Sequence, residues 1–255
     1  MSVLTVAIVC GFVLAILLSV EVGYQWGIRR WRSVPRKERT FSSTMEASIF
    51  GLMGLLIAFV FYGAGSRFEN RRNLVVQEAN AIGTAYLRLD LLPSDTQPEL
   101  REDFRKYVQA RLAVYQKIPD VKAVNAALDQ SAALQNNVWK KAIEATKQTG
   151  PAEKSLVLGS LNAMIDITTD RTVALSTHPP AAVFAMLAVA VIASSALAGY
   201  TMSVGGIRDW VPMIVYAFVV GTAMFVILDY EYPRAGVIRV DPVDKVLVQT
   251  LKRMN

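Results

Sequence analysis

Four apolar runs, about Val3–Val20, Ala47–Gly65, Ala181–Ser203 and Val211–Leu228, approach the roughly 20 residues a helix needs to cross a bilayer. Each is free of Lys, Arg, Asp and Glu, so each can lie in hydrocarbon without a charge to desolvate. Hydrophobic residues make up 53% of the 255, and mean hydropathy is positive. That is too apolar for an ordinary soluble domain of this length. The first run has no Lys or Arg before it, and no small-residue cleavage site after it. Arg29, Arg30 and Arg32 follow closely, so it reads as a retained span rather than a signal peptide. The single cysteine, Cys10, rules out an intrachain disulfide.

The net charge of +6 is concentrated in "RRWRSVPRKER", Arg29 to Arg39. Directly behind a spanning helix, such a cluster is topogenic or faces lipid headgroups. No nucleic-acid partner is expected.

The runs form two hairpins separated by a polar insert. The expected fold class is an all-α membrane protein, with four transmembrane helices and a helical extramembrane insert between spans 2 and 3. The expected divisions are a first hairpin over 1–65, the insert over 66–180, a second hairpin over 181–229, and a tail over 230–255. The second span continues into the insert with no Pro until Pro93. Unbroken, Ala47–Leu92 would be about 69 Å long. Thr96, Pro98 and Glu99 predict the start of the next helix through a capping box. Pro119 and Gly150-Pro151 mark further breaks, and nothing in the insert alternates as a strand does. The tail carries one short apolar stripe, Val243, Val246, Leu247 and Leu251, which predicts docking on the insert or on the membrane surface.

On a helical wheel, Phe68, Val75, Ala79, Ile82, Tyr86 and Leu89 share one face of this long helix. A polar stripe, Asn73, Gln77, Asn80, Thr84 and Arg88, occupies the opposite face. It reads either as the lining of a water-filled vestibule or as a plain solvated surface. Arg71 and Glu78 are the exceptions, two charges on the apolar face. An unpaired charge in a packed seam is costly, so each predicts a partner on another helix. Arg105 and Arg111 are candidates for Glu78, and Asp166 or Asp170 for Arg71. Within the span itself, Gly51, Gly54, Ala58 and Gly65 lie near one face and permit close helix contact. Glu21 and Asp229 stand at span ends, where pairing with an Arg, such as Arg208 for Glu21, is the ordinary reading.

Enzyme chemistry finds no foothold. There is one histidine, His178, beside two prolines, and no nucleophile motif, phosphate loop or metal-ligand cluster. No catalytic residue, cofactor or metal is expected.

The stretch "GLMGLLIAFVFYGAGSRFENRRNLVVQEANAIGTAYLRLDLLP" resembles a bacterial bestrophin-like membrane family of unknown function. So do "LNAMIDITTDRTVAL" and "ILDYEYPRAGVIRV". The resemblance implies a multi-pass protein with four spans and a helical insert. Bestrophins are pentameric anion channels whose second span lines the pore. By that likeness Ile57 and Phe61, at i and i+4, match the apolar neck. The calcium clasp of animal bestrophins is not visible here.

The expected function is a homo-oligomeric, bestrophin-like ion channel in the bacterial inner membrane, with the lipid bilayer and inorganic ions as partners. The alternative is a non-conducting scaffold or sensor whose insert binds a partner. Charge asymmetry around the first span predicts both termini and the insert outside the cytoplasm. The likeness to bestrophins implies the reverse.

Overall fold

The computed structural model describes residues 3–39, 43–117, 120–206, 208–234 and 236–254. Among these, the elements are eight α-helices joined by loops and short 3-10 turns, and none is a strand. The helices are α1 Val3–Arg30, α2 Ser43–Leu87, α3 Gln97–Gln116, α4 Val121–Ala145, α5 Pro151–Ser176, α6 Ala181–Gly205, α7 Trp210–Glu231 and α8 Lys245–Lys252. Among the described residues, four stretches are long and apolar enough to cross a membrane. They lie in α1, α2, α6 and α7. The chain divides into two compact units, Met1–Arg67 with His178–Val237, and Phe68–Thr177 with Ile238–Asn255.

The first unit is organised by α1 and α6, which run in the same direction at close range. A Cβ added at Gly23 would collide with the Ala196 carbonyl, one at Gly199 with that of Val20, and one at Gly27 with the Ser203 hydroxyl. Small residues allow this approach, and the backbones themselves become the packing surface. Ser194 and Ser195 on α6 satisfy their hydroxyls on the Ala190 and Val191 carbonyls of the preceding turn, as buried polar groups in a spanning helix must. Gly206, at φ 64°, ends α6 in the left-handed conformation that glycine adopts without a steric cost.

The first span was expected to end near Val20. Its apolar stretch instead runs Val9–Trp31. Glu21 does not interrupt it, because Arg208 donates to its carboxylate at 2.6 Å. Residues 21–30 then hold the Gly23 and Gly27 contacts that bind α1 to α6.

The second unit is a helical bundle around one core. Val75, Ile82 and Leu89 meet Leu100, Phe104 and Tyr107 of α3, Val138 of α4, and Val157, Leu161 and Met164 of α5. The spacing of three and four residues puts these side chains on one stripe of each helix. Leu247 and Met254 of the tail are buried in the same core. Asp120 caps α4 by accepting from the Ala123 N–H. The capping box expected for α3 does not form. Thr96 sits at the N-cap but bonds back to the Pro93 carbonyl, and Glu99 pairs with Lys141 of α4. Pro119, read as a stop, lies outside the described residues.

Candidate functional site: the faces and buried charges of the second helix

Up to Arg67, α2 belongs to the first unit and packs there by one face only. Met53 and Ala64 are buried, and Phe50, Leu56, Ile57 and Val60 rest against α1, α6 and α7 residues such as Ile16, Val191, Leu187 and Ile227. The other face is bare. Leu55, Phe59 and Tyr62 are exposed, and Ala58 lies among them. A Cβ at Gly51 or Gly54 would meet nothing within 4 Å. Among the described residues, the close helix contact that these glycines permit is not made at Gly51 or Gly54 and occurs at Gly23, Gly27 and Gly199 instead. Ile57 turns into its own bundle. Phe61 lies at the edge, its ring 5.8 Å from that of Tyr230.

From Phe68 onward, α2 belongs to the second unit. Asn73, Gln77, Asn80 and Thr84 are exposed. Arg88 leaves the stripe: it lies in the 3-10 turn Arg88–Leu91 and donates to the Leu156 carbonyl at 2.8 Å. Arg71 and Glu78 are buried, with 4% and 0% of their surfaces exposed.

Glu78 sits between two arginines. Arg111 Nε donates to Oε1 at 2.6 Å, and Arg171 of α5 donates to Oε2. Arg171 also reaches Asp244 of the tail at 3.1 Å. Its guanidinium lies 3.7 Å above the Tyr115 ring. The Tyr115 hydroxyl accepts from Arg111 at 2.5 Å. Among the described residues, two carboxylates thus pair with two guanidiniums, the condition under which burying charge is tolerable. Burial lowers the Arg111 pKa, but Tyr115, Glu78 and Tyr107 more than reverse this, so its proton is held more tightly than usual. Burial also pushes the nearby Tyr107 phenol up to about 12.

Arg71 makes a different bond. Its Nε and Nη2 donate to the carbonyls of Ala174 and Thr177, at 3.0 and 2.9 Å. These carbonyls close the C-terminal end of α5, where no further turn donates to them and a cation is favoured. Two expected pairings are not made. Arg105 turns to Glu102 and the Met254 carbonyl, and Asp166 accepts from Asn162.

The first unit has a buried carboxylate of its own. Glu231 is 1% exposed, and Arg67 Nε donates to it at 2.8 Å. His178 Nδ1 lies 3.5 Å from its second oxygen, and the imidazole stacks on Tyr232. Asp229, two residues earlier, accepts the Val237 N–H at 2.9 Å and so folds the chain back after α7. Among the described residues, no group of three or more His, Cys, Asp or Glu is placed to hold a metal ion.

The model of the bestrophin-like domain family matches residues 6–244. The chain belongs to the bestrophin-like family. Among solved structures it is similar to a point mutant of a bacterial bestrophin homologue from Klebsiella pneumoniae. The TM-score is 0.74 at 13% identity, over 100% of this chain and 97% of that one. A second structure of a bacterial bestrophin homologue from that organism, solved by zinc phasing, gives a TM-score of 0.70 at 13% identity, over 96% and 97% of the two chains. Identities this low speak for the fold alone. No curated protein matches the sequence.

In this bestrophin-like chain, sequence reading missed Arg171, Asp244 and Tyr115 around Glu78, and Glu231 with Arg67 in the first unit. Arg171 was within reach. Met164, Ile167 and Arg171 follow i, i+3, i+7 on α5, so the wheel that exposes Glu78 on α2 exposes Arg171 as well. Asp244 carried no such signal, because it lies in a 3-10 turn after an irregular segment.

Proposed function

We propose that this protein is a homo-oligomeric, bestrophin-like ion channel of the bacterial inner membrane, and that the bare face of α2 turns toward the other copies and lines the pathway. The observation carrying this reading is the unpartnered face of a spanning helix. Mid-helix glycines weaken a helix, and those at Gly51 and Gly54 meet nothing of their own chain. Close approach by the same helix of another copy gives them a use. On the wheel, Leu55, Ala58, Phe59 and Tyr62 share a side with Asn73, Asn80 and Thr84. The spanning part would then form an apolar constriction that gates by dewetting, and the polar stripe its hydrated mouth. Because Ile57 packs inward, the constriction is assigned to Leu55, Phe59 and Tyr62, with Phe61 at its flank.

The test has two arms. A cysteine at Ala58, in a Cys10→Ser background, should form disulfide-linked dimers in oxidised membranes. Purified protein in planar bilayers should pass single-channel current, with conductance altered by Tyr62→Ala. Cross-linking without current would favour the scaffold reading. Neither cross-linking nor current would remove α2 from the axis.

For orientation we propose the charge-based arrangement, with termini and insert outside the cytoplasm. A cysteine replacing Gln148, again with Cys10→Ser, should react with an impermeant maleimide on intact spheroplasts. Labelling only after lysis would invert it.

A further inference from the structure

A cavity of about 420 Å³ opens beside the polar stripe, within the second unit, between α2 and the tail helix α8. Asn80 and Thr84 form its α2 wall, with Gly83 between them. Gln249, Thr250 and Arg253 face them from the tail. We propose that this cavity is a binding site for a small hydroxylated carboxylate.

The volume falls within the range of small-molecule sites. Among the described residues, Arg253 is the only charged one lining it. No ion pair is made by Arg253 among the described residues, whereas most arginines of this unit are paired. A guanidinium presents a planar fork that binds a carboxylate through two parallel hydrogen bonds. One positive charge matches one carboxylate, while a phosphate dianion would leave a charge unbalanced. The last carbonyls of α8 disfavour an anion, and hydrogen bonds to three of them weaken that effect. The Arg253 N–H is shared by the Gln249 and Thr250 carbonyls, and the Met254 N–H goes to Leu251. Two amides and two hydroxyls then supply mixed donors and acceptors suited to ligand hydroxyls.

The wall is held in place before any ligand arrives. The Tyr86 hydroxyl donates to the Met254 carbonyl at 2.8 Å, and Arg105 donates to the same oxygen at 3.0 Å. Gly83 is a second, independent sign. A glycine in the middle of a helix is unfavourable, and a Cβ here would meet nothing within 4 Å, so packing inside the chain does not require it. Its effect is to keep the cavity floor open.

The probe is sodium gluconate, titrated into the full-length protein in detergent by calorimetry at constant ionic strength, with glucose as the uncharged control. Gluconate should bind saturably, and glucose at least tenfold more weakly. Arg253→Gln should lose at least tenfold in gluconate affinity, with melting temperature and oligomer size kept. Gly83→Leu should abolish binding by filling the floor. Equal affinity for gluconate in Arg253→Gln, or no binding at 50-fold excess over the protein at millimolar concentration, overturns the proposal. So does loss of the oligomer in Gly83→Leu without gluconate binding to the wild type, which would make the cavity a contact between copies.

Discussion

Glu78 of α2 and Arg111 of α3 meet at 2.6 Å with both side chains shut off from solvent. Their worth as a pair is small, because desolvation offsets most of the attraction. Breaking the pair is another matter, since it strands whichever charge remains. Glu78→Gln leaves Arg111 and Arg171 facing each other, with Asp244 the one carboxylate still paired to them among the described residues. It should destabilise the second unit by about 3–5 kcal/mol. Asn73→Ala on the exposed face should stay within about 0.5 kcal/mol. Thermal melting of both variants checks this, and a wild-type melt for Glu78→Gln would show that the cluster contributes nothing.

Arg71 tests a different kind of bond. Hydrogen bonds to a charged group contribute about 1.5–3 kcal/mol each, and Arg71 makes two to the end of α5. Arg71→Gln should lower stability by about 2–4 kcal/mol after partial replacement by water. Hydrogen exchange should rise first at the last turn of α5, near Ala174 to Thr177. Uniform exchange across the unit would point to a general packing defect.

Truncation after Val240 removes Leu247 and Met254 from the core and Asp244 from Arg171. Each buried apolar side chain is worth about 1.5–3 kcal/mol, and the lost carboxylate leaves the charge cluster one positive charge in excess. The melting temperature should fall sharply. Asp244→Asn alone should reproduce part of the fall, and an unchanged melt for the truncated chain would make the tail dispensable to the fold.

Tyr107 sets an alkaline limit. Its folded pKa of about 12 lies above the ordinary phenol value of 10. Between those values the unfolded chain has lost a proton that the folded chain keeps, so stability falls as pH rises through this window. The loss reaches about 2 kcal/mol by pH 12. Tyr107→Phe gives up the hydrogen bond to Thr168, about 1 kcal/mol. In exchange, its stability should fall less steeply from pH 10 to 12. Parallel curves for the two proteins would remove Tyr107 as the cause.

Much of this architecture is written in local pattern. Apolar runs long enough to cross hydrocarbon specify spans, and spacing of three and four residues specifies which side of α2 is buried. Both follow from a single helix's geometry and need no knowledge of its neighbours. That is why Arg71 and Glu78 stand out in the sequence as charges on an apolar face. What the wheel does not carry is which helix arrives opposite. Glu78 meets Arg171, nearly a hundred residues on, and Arg71 meets backbone carbonyls that no side-chain pattern records. Close packing likewise falls at Gly23, Gly27 and Gly199 rather than at Gly51 and Gly54, although all five are glycines in apolar helices. A glycine permits close approach, but only the arrangement of helices decides where approach occurs. Periodicity is a property of one segment. Pairing, and the cavity between α2 and α8, are properties of two segments brought together by the fold.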